Sequence, residues 1–288
     1  MDMNFLCALI AIHYTEEDHH GSRRESRNKF TEVQGIRLHY LEWGESGKPD
    51  LLLVHGWTSF SLSWSTVADY FRGRFHIIAP DLRGHGDSDK PQTGYRLRDF
   101  AEDIRQLIKN LDLRKPAYVG HSWGANIGTI LASDSADLIS RVCLEDPVYW
   151  RMLHAFVTSL PGALVRRNKS EAEIRAEARQ RGLSKIDEDL EVYRNHHFSA
   201  DALTRLLTDN RDWVFALEDH LKRIAVPTMI LVADNKAAQP GAIMREEMTY
   251  LQRIASPQVK FAFWEGVGHG MKAAKPAEYN KALESWLA

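Results

Sequence analysis

Eight short apolar runs, beginning near residue 30, constrain this chain more than any other feature. They read FTEVQ, IRLHYLEWG, LLLVHGW, FHIIAPDL, PAYVGHS, RVCLED, MILVAD and VKFAFWEG. Several are continuously apolar over four or five residues, the pattern of strands buried on both faces of a sheet. Between the later runs lie stretches with helical spacing. Phe100, Ile104, Leu107, Ile108 and Leu111 fall at i, i+4, i+7, i+8 and i+11, one face of a helix. The last stretch, Pro276 to Leu287, reads as a helix with proline in its first turn. Strands alternating with helices in this way predict an α/β fold: a mostly parallel central sheet covered by helices on both sides. The chain, at 288 residues, is long enough for one large domain with an inserted subdomain.

One interval breaks the rhythm. Between LED (144–146) and VPTMILVAD (226–234) no run reads as a strand. The segments SEAEIRAEARQRG, SKIDEDLEVYRNHHF and ADALTRLLTDNRDWVFALEDHLKRI read as helices instead. A structureless loop of that length is improbable in a compact domain. A helical cap over 148–224, inserted into a core of 29–147 and 225–288, is therefore expected. The start of the cap carries Val148, Tyr149, Trp150, Met152, Leu153 and Phe156. Each alone reads as an ordinary core residue; as a group, with Tyr149, Trp150 and Phe156 foremost, they suggest pocket lining. Trp213 and Phe215 add to the aromatic supply.

Composition narrows the class. A formal charge of −2 gives no reason to expect a polyanion such as nucleic acid as partner. Cys7 and Cys143 are too few for a disulfide framework and form no CxxC pair, which points to a reducing cytoplasm. Phe5 to Ile12 is apolar, but Asp2 stands where a secretory signal carries positive charge. That run is also far too short to span a bilayer, so no membrane partner is expected. Residues 1–28 read as an N-terminal extension, mobile over TEEDHHGSRRESR. No His, Cys or carboxylate cluster has metal-ligand spacing and no GxGxxG occurs, so neither a metal nor an organic cofactor is expected.

The chemistry concentrates in two glycine-framed segments. Gly120-His121-Ser122-Trp123-Gly124 fits G-x-S-x-G, between an apolar strand (Ala117 to Val119) and the helical run NIGTILAS. A serine on a tight strand-to-helix turn exposes its hydroxyl above the sheet edge, and the crowding of that turn calls for glycine on both sides. The helix that begins there aims its free N–H groups at developing negative charge. A serine hydroxyl is a weak nucleophile and needs a base, which in turn needs an orienting acid. Among the 13 histidines, His269 in Gly266-Val267-Gly268-His269-Gly270 occupies a loop directly after the last strand. His85 lies in an earlier glycine-rich turn. His121 is expected to point away from the elbow.

His55-Gly56-Trp57, APDLRGHGDSDKP (79–91), GHSWG (120–124), EDP (145–147) and GVGHG (266–270) together resemble the α/β-hydrolase superfamily over residues 30–288. The branch they are similar to holds lidded esterases, haloperoxidase-like enzymes and epoxide hydrolases. The resemblance implies an α/β-hydrolase fold, with the Trp57 and Trp123 backbone N–H groups as an oxyanion hole. It implies a structural role for Asp81, Asp87 and Asp89. The family most often places the acid after the strand that resumes beyond the cap, which puts Asp234 first. Some branches carry it after the preceding strand, making Asp146 the alternative and Glu145 the last candidate. Relatives that open epoxides or remove halide need a carboxylate at the elbow; Ser122 implies acyl chemistry instead.

The function expected is a serine hydrolase, acting through an acyl-enzyme on a small-molecule ester or lactone with a medium-sized apolar group. Carbon–carbon hydrolysis of a diketone on the same triad is the second reading. A ligand receptor on the same scaffold, with weak turnover, is a reading from another class.

Overall fold

The computed structural model of the chain describes residues 26–149, 162–210, 213–234, 236–237 and 241–288. All eight expected strands are present: β1 Arg27–Val33, β2 Ile36–Trp43, β3 Asp50–Val54, β4 His76–Pro80, β5 Ala117–His121, β6 Val142–Glu145, β7 Thr228–Ala233 and β8 Val259–Trp264. They form one sheet in the order β1-β2-β4-β3-β5-β6-β7-β8. β1 and β2 form an antiparallel hairpin, with Val33 opposite Ile36. Both turn residues between them, Gln34 and Gly35, have positive φ, as a two-residue hairpin turn of the right twist demands. β2 runs antiparallel to β4, and every later pairing is parallel.

The continuous apolar runs are explained by burial on two faces. Leu52 and Val54 of β3 enter one core; Leu51 and Leu53 of the same strand enter the other. This is the two-residue period of a strand acting between two layers of helix. Helix α1 (Ser65–Phe71) contributes Val67, Ala68 and Phe71 to the second core. Helix α2 (Leu97–Asn110) buries Phe100, Ile104, Leu107 and Ile108 in the first, the face read from the spacing. Leu111 stands just past the end of α2, as its C-cap. Helix α3 (Trp123–Asp134) is buried along almost its whole length.

Between β6 and β7 the described residues form α4 (Glu171–Gln180), α5 (Lys185–His196), α6 (Ala200–Asp209) and α7 (Trp213–Arg223). Three of them start at serine caps. Ser170, Ser184 and Ser199 each accept a backbone N–H of the following turn, satisfying donors the helix itself leaves free. The long third run of the sequence is two helices rather than one. It stops at Asn210, a buried residue whose Oδ1 accepts the Leu97 N–H and whose Nδ2 donates to the Tyr95 carbonyl. Asn210 thus joins this helical region to the start of α2, and α7 packs on α3. The chain ends with α8 (Arg245–Ile254), α9 (Met271–Ala274) and α10 (Pro276–Leu287). Among the described residues no helix is long and apolar enough to cross a membrane, and Cys143 is a buried free thiol.

The strand order has one functional consequence. β3 has β4 on one side and β5 on the other, so connections leave in opposite directions at the C-terminal ends of β3 and β5. Ligands of open α/β sheets bind in the crevice at such a switch point. Gly56 follows β3 and Ser122 follows β5.

Asn210→Leu should lower unfolding stability by about 2 kcal/mol or more, because two buried backbone groups lose their partner. Urea unfolding of the variant beside wild type measures this; an unchanged midpoint and slope would remove Asn210 as the tie between α6 and α2.

Candidate active site

Ser122 stands where β5 gives way to α3, with φ 53° and ψ −113°. A non-glycine residue in this left-handed region is strained by about 1–3 kcal/mol and persists only when its surroundings over-determine it. Here they do. The Ser122 N–H donates to the Glu145 carbonyl (2.8 Å), and the Ser122 carbonyl accepts from Ala125 N and Asn126 N. The flanking glycines have no room for side chains. A Cβ on Gly120 would lie 2.4 Å from the Gly124 carbonyl oxygen, and one on Gly124 would lie 2.3 Å from that of Val54. Gly56 approaches from β3: a Cβ there would lie 2.9 Å from the Ser122 Cβ. The G-x-S-x-G spacing is thus a packing requirement of the turn.

His269 lies in the loop between β8 and α9 and is buried to 8% exposure. Its Nδ1 is 2.6 Å from Asp146 Oδ2. The Asp146 carboxylate also accepts the Ala242 N–H on Oδ2 (2.7 Å) and the Ala233 N–H on Oδ1 (3.2 Å). Asp146 is fully buried, directly after β6, and has φ 46°. With Nδ1–H donated to the carboxylate, the lone pair of the neutral imidazole is on Nε2.

Asp234, placed first from the sequence as the acid, does not meet the imidazole. Its Oδ2 accepts the Gly266 N–H and its Oδ1 the Lys236 N–H, and these bonds hold its carboxyl below the usual range. Its own N–H donates to the Val267 carbonyl. Asp234 therefore grips the backbone of the His269 loop, while Asp146, the alternative, carries the contact with the ring. The physical reason lies one residue earlier. Gly241 packs against the Ala233 carbonyl, closer than a side chain would permit, and the Ala233 and Ala242 N–H groups that this fold-back presents are taken by Asp146. Glu145 is committed elsewhere: it accepts from Lys272 N, Lys272 Nζ and the Tyr279 hydroxyl.

His121 does more than the sequence suggested. Its Nε2–H donates to the His269 carbonyl (3.0 Å), with ring centroids 4.7 Å apart. Burial drives its pKa well below the ordinary value. Its position in the elbow motif is the only sequence signal that could have found it.

Trp57 and Trp123 flank the serine and meet edge to face at 6.1 Å. Two further histidines hold the turn that carries Trp57. His55 Nδ1 lies 2.7 Å from the Gly56 carbonyl and its Nε2 accepts the Leu82 N–H. His85 Nε2 accepts the Thr58 N–H and its Nδ1 meets the Arg83 carbonyl. Burial lowers His55 to about 4 and His85 to about 3, so both rings are neutral at pH 7.

Of the aromatic group expected around a pocket, Tyr149 is fully buried in the core, its hydroxyl 3.3 Å from Thr129 Oγ1 on α3. Trp150 and Phe156, and the side chains of Trp213 and Phe215, lie outside the described residues. The DLRGHGDSD stretch, for which the resemblance implied a structural role, is tied together by Asp81. Asp81 Oδ1 accepts the Ser61 N–H, and its Oδ2 meets His39 Nδ1 and the Asp87 N–H. His39, Asp81 and Asp87 are the one group among the described residues with metal-like spacing, and within it Asp81 bonds both His39 and the Asp87 N–H.

The neutral histidines give a pH dependence with a definite sign. Unfolded, His55 and His85 bind protons near pH 6.5; folded, they do so only near 4 and 3. The unfolded state therefore takes up more protons, and stability is full above pH 6.5 and falls as pH drops toward 4. Two such groups give a slope of roughly 2–3 kcal/mol per pH unit near pH 5. Urea unfolding from pH 7.5 to 4.5 should show this decline; a flat profile would contradict neutral, buried rings at both positions.

Residues 49–216, more than half of the chain, match the family model described as the alpha/beta hydrolase fold. A soluble epoxide hydrolase from Corynebacterium sp. (strain C12) is 40% identical over 116 residues, 40% of this chain and 40% of that protein. Epoxide hydrolase 3 of Xenopus tropicalis is 24% identical over 281 residues, 88% of this chain and 75% of its own. The chain thus spans less than half the length of the Corynebacterium relative. Among solved structures, E-2-(acetamidomethylene)succinate hydrolase superposes with a TM-score of 0.76 at 23% identity, covering 91% of this chain and 99% of that one. An N-acyl homoserine lactone degrading enzyme superposes with a TM-score of 0.68 at 21% identity, covering 89% and 99%. At such identities the two structures speak to the fold alone. The matched span, the sheet order and the strained serine turn agree: the chain belongs to the α/β-hydrolase family.

Proposed function

We propose that this protein is a serine hydrolase that cleaves a carboxylic ester or lactone of a medium-sized apolar small molecule through an acyl-enzyme. The observation that carries the reading is the Asp146–His269 hydrogen bond beside an elbow whose central residue is serine. Epoxide hydrolases are among the relatives, but that chemistry needs a carboxylate at the elbow to form an alkyl-enzyme ester. A serine with an imidazole base suits attack on an acyl carbon. Cyclic esters stay beside open-chain ones in this reading, because attack by serine on the acyl carbon opens either.

In this mechanism His269 Nε2 takes the Ser122 hydroxyl proton as Oγ attacks the carbonyl carbon. The oxyanion of the tetrahedral intermediate is held by the Trp57 and Trp123 N–H groups. His269 then gives its proton to the departing alkoxide, leaving Ser122 acylated. Water, losing a proton to His269, attacks the acyl carbon; as the acid departs, His269 returns that proton to Ser122 Oγ. Asp146 stays ionised throughout: it holds the ring in the tautomer that leaves Nε2 free and stabilises the imidazolium.

Hydrolysis of a p-nitrophenyl ester chain-length series tests this. Ser122→Ala should abolish turnover. Asp146→Asn should lower kcat by about 10⁴, the loss typical when the wrong tautomer is held. Asp234→Asn should stay within about tenfold of wild type, because that side chain meets only backbone N–H groups. A wild type as inert as Ser122→Ala toward esters and lactones alike would move the reading to a receptor. A larger loss in Asp234→Asn than in Asp146→Asn would reassign the acid.

A further inference from the structure

Acyl transfer as proposed above uses the Trp57 N–H but leaves open what aims it, and the role of His55 derived from its geometry rests on that proposal. The Trp57 N–H belongs to the same peptide unit as the Gly56 carbonyl. With no cis peptide bond among the described residues, the two groups point in opposite directions across one plane. Whatever fixes the carbonyl therefore fixes the N–H.

Two donors reach the Gly56 carbonyl: His55 Nδ1 at 2.7 Å and the Ser59 N–H at 3.3 Å. The His55 bond is the shorter, and its direction is settled by the ring's other side. Nε2 lies 3.0 Å from the Leu82 N–H, a group that can only donate. Nε2 is therefore the acceptor, and the proton of the neutral ring is on Nδ1. The ring is 1% exposed, wedged between β3 and the segment after β4, so it has one orientation. Donation to a carbonyl also polarises the amide, strengthening the N–H at its far end.

We propose that His55 is a positioning residue for the oxyanion hole, its Nδ1–H aiming and polarising the Trp57 N–H through the Gly56–Trp57 peptide. His85 secures the next step of the same turn. It accepts the Thr58 N–H at 3.2 Å, where Thr58 has the left-handed φ of 54°, and its ring packs edge to face on Trp57 at 5.1 Å. The Gly56 Cα sits against Ser122 with no space for a side chain. The orientation of this one peptide is thus set within contact distance of the nucleophile.

Two substitutions separate the two ends of the ring. In His55→Asn the side-chain amide nitrogen falls near Nδ1, keeping the donor to Gly56 and losing the acceptor for Leu82. In His55→Gln the amide oxygen falls near Nε2, keeping the Leu82 contact and losing the donor. The expected result is a fall in kcat of about tenfold or more for His55→Gln with KM changed less than about threefold, and near wild-type kcat for His55→Asn; deleting an oxyanion donor outright costs about 10²–10³. The second readout needs no turnover. Gly56-Trp57 is the only Gly-Trp pair in the sequence, so 13C-carbonyl glycine with 15N tryptophan marks that amide alone. Its proton shift should move upfield in His55→Gln and hold in His55→Asn. A wild type without ester or lactone turnover would sink the acyl-transfer reading, while the amide shift would still decide the positioning claim. An unmoved Trp57 amide in folded His55→Gln, or equal kcat losses in both variants that follow their melting temperatures, would overturn it. Should His55→Gln fail to fold, wild-type 15N shifts decide: a proton on His55 Nε2 instead of Nδ1 refutes the proposal.

Discussion

The hydrogen bond from His269 to Asp146 is the contact around which the C-terminal edge of the sheet is organised. It joins the end of β6 to the loop after β8 and so passes over the end of β7, which lies between them. The intervening strand takes part, because the last residue of β7 donates its N–H to the same carboxylate. A buried ionised carboxylate is tolerated only when hydrogen-bonded. Asp146 meets that condition with two backbone N–H groups and the imidazole. The geometry of three separate segments is thus tied to one side chain.

A second constraint is crowding. β5 and β6 are neighbours, and each is followed by a non-glycine residue with positive φ, Ser122 and Asp146. The strain is local and sits where the side chains must be thrown clear of the sheet. Its containment comes from close backbone packing, with Gly120 against Gly124 and Gly124 against Val54, and from bonds such as Ser122 N–H to the Glu145 carbonyl. His55 and His85 belong to the same scheme. Kept neutral by burial, they use both ring nitrogens to fasten backbone turns.

The fold was legible because its signals are local. Each strand announced itself as a short apolar run, and α10 by its proline, so element type and order followed from periodicity. Ser122 and His269 were legible for the same reason, being framed by glycines at fixed spacing. The partner of His269 was not. Asp146 and Asp234 each directly follow a strand, and choosing between them depends on how the chain folds back after β7, where Gly241 and Ala242 meet Ala233 and Asp146. No local pattern encodes that contact. The division at Asn210 was hidden likewise, since its cause is the distant backbone of Tyr95 and Leu97.

The most direct test of the central claim is the rate at which a fluorophosphonate probe labels the protein, followed by intact mass and peptide mapping. The expected result is one adduct per chain, on the peptide holding Ser122, formed at a rate that collapses in Asp146→Asn and persists in Asp234→Asn. No adduct in the folded wild type, or an adduct whose rate depends on Asp234 and not on Asp146, would contradict it.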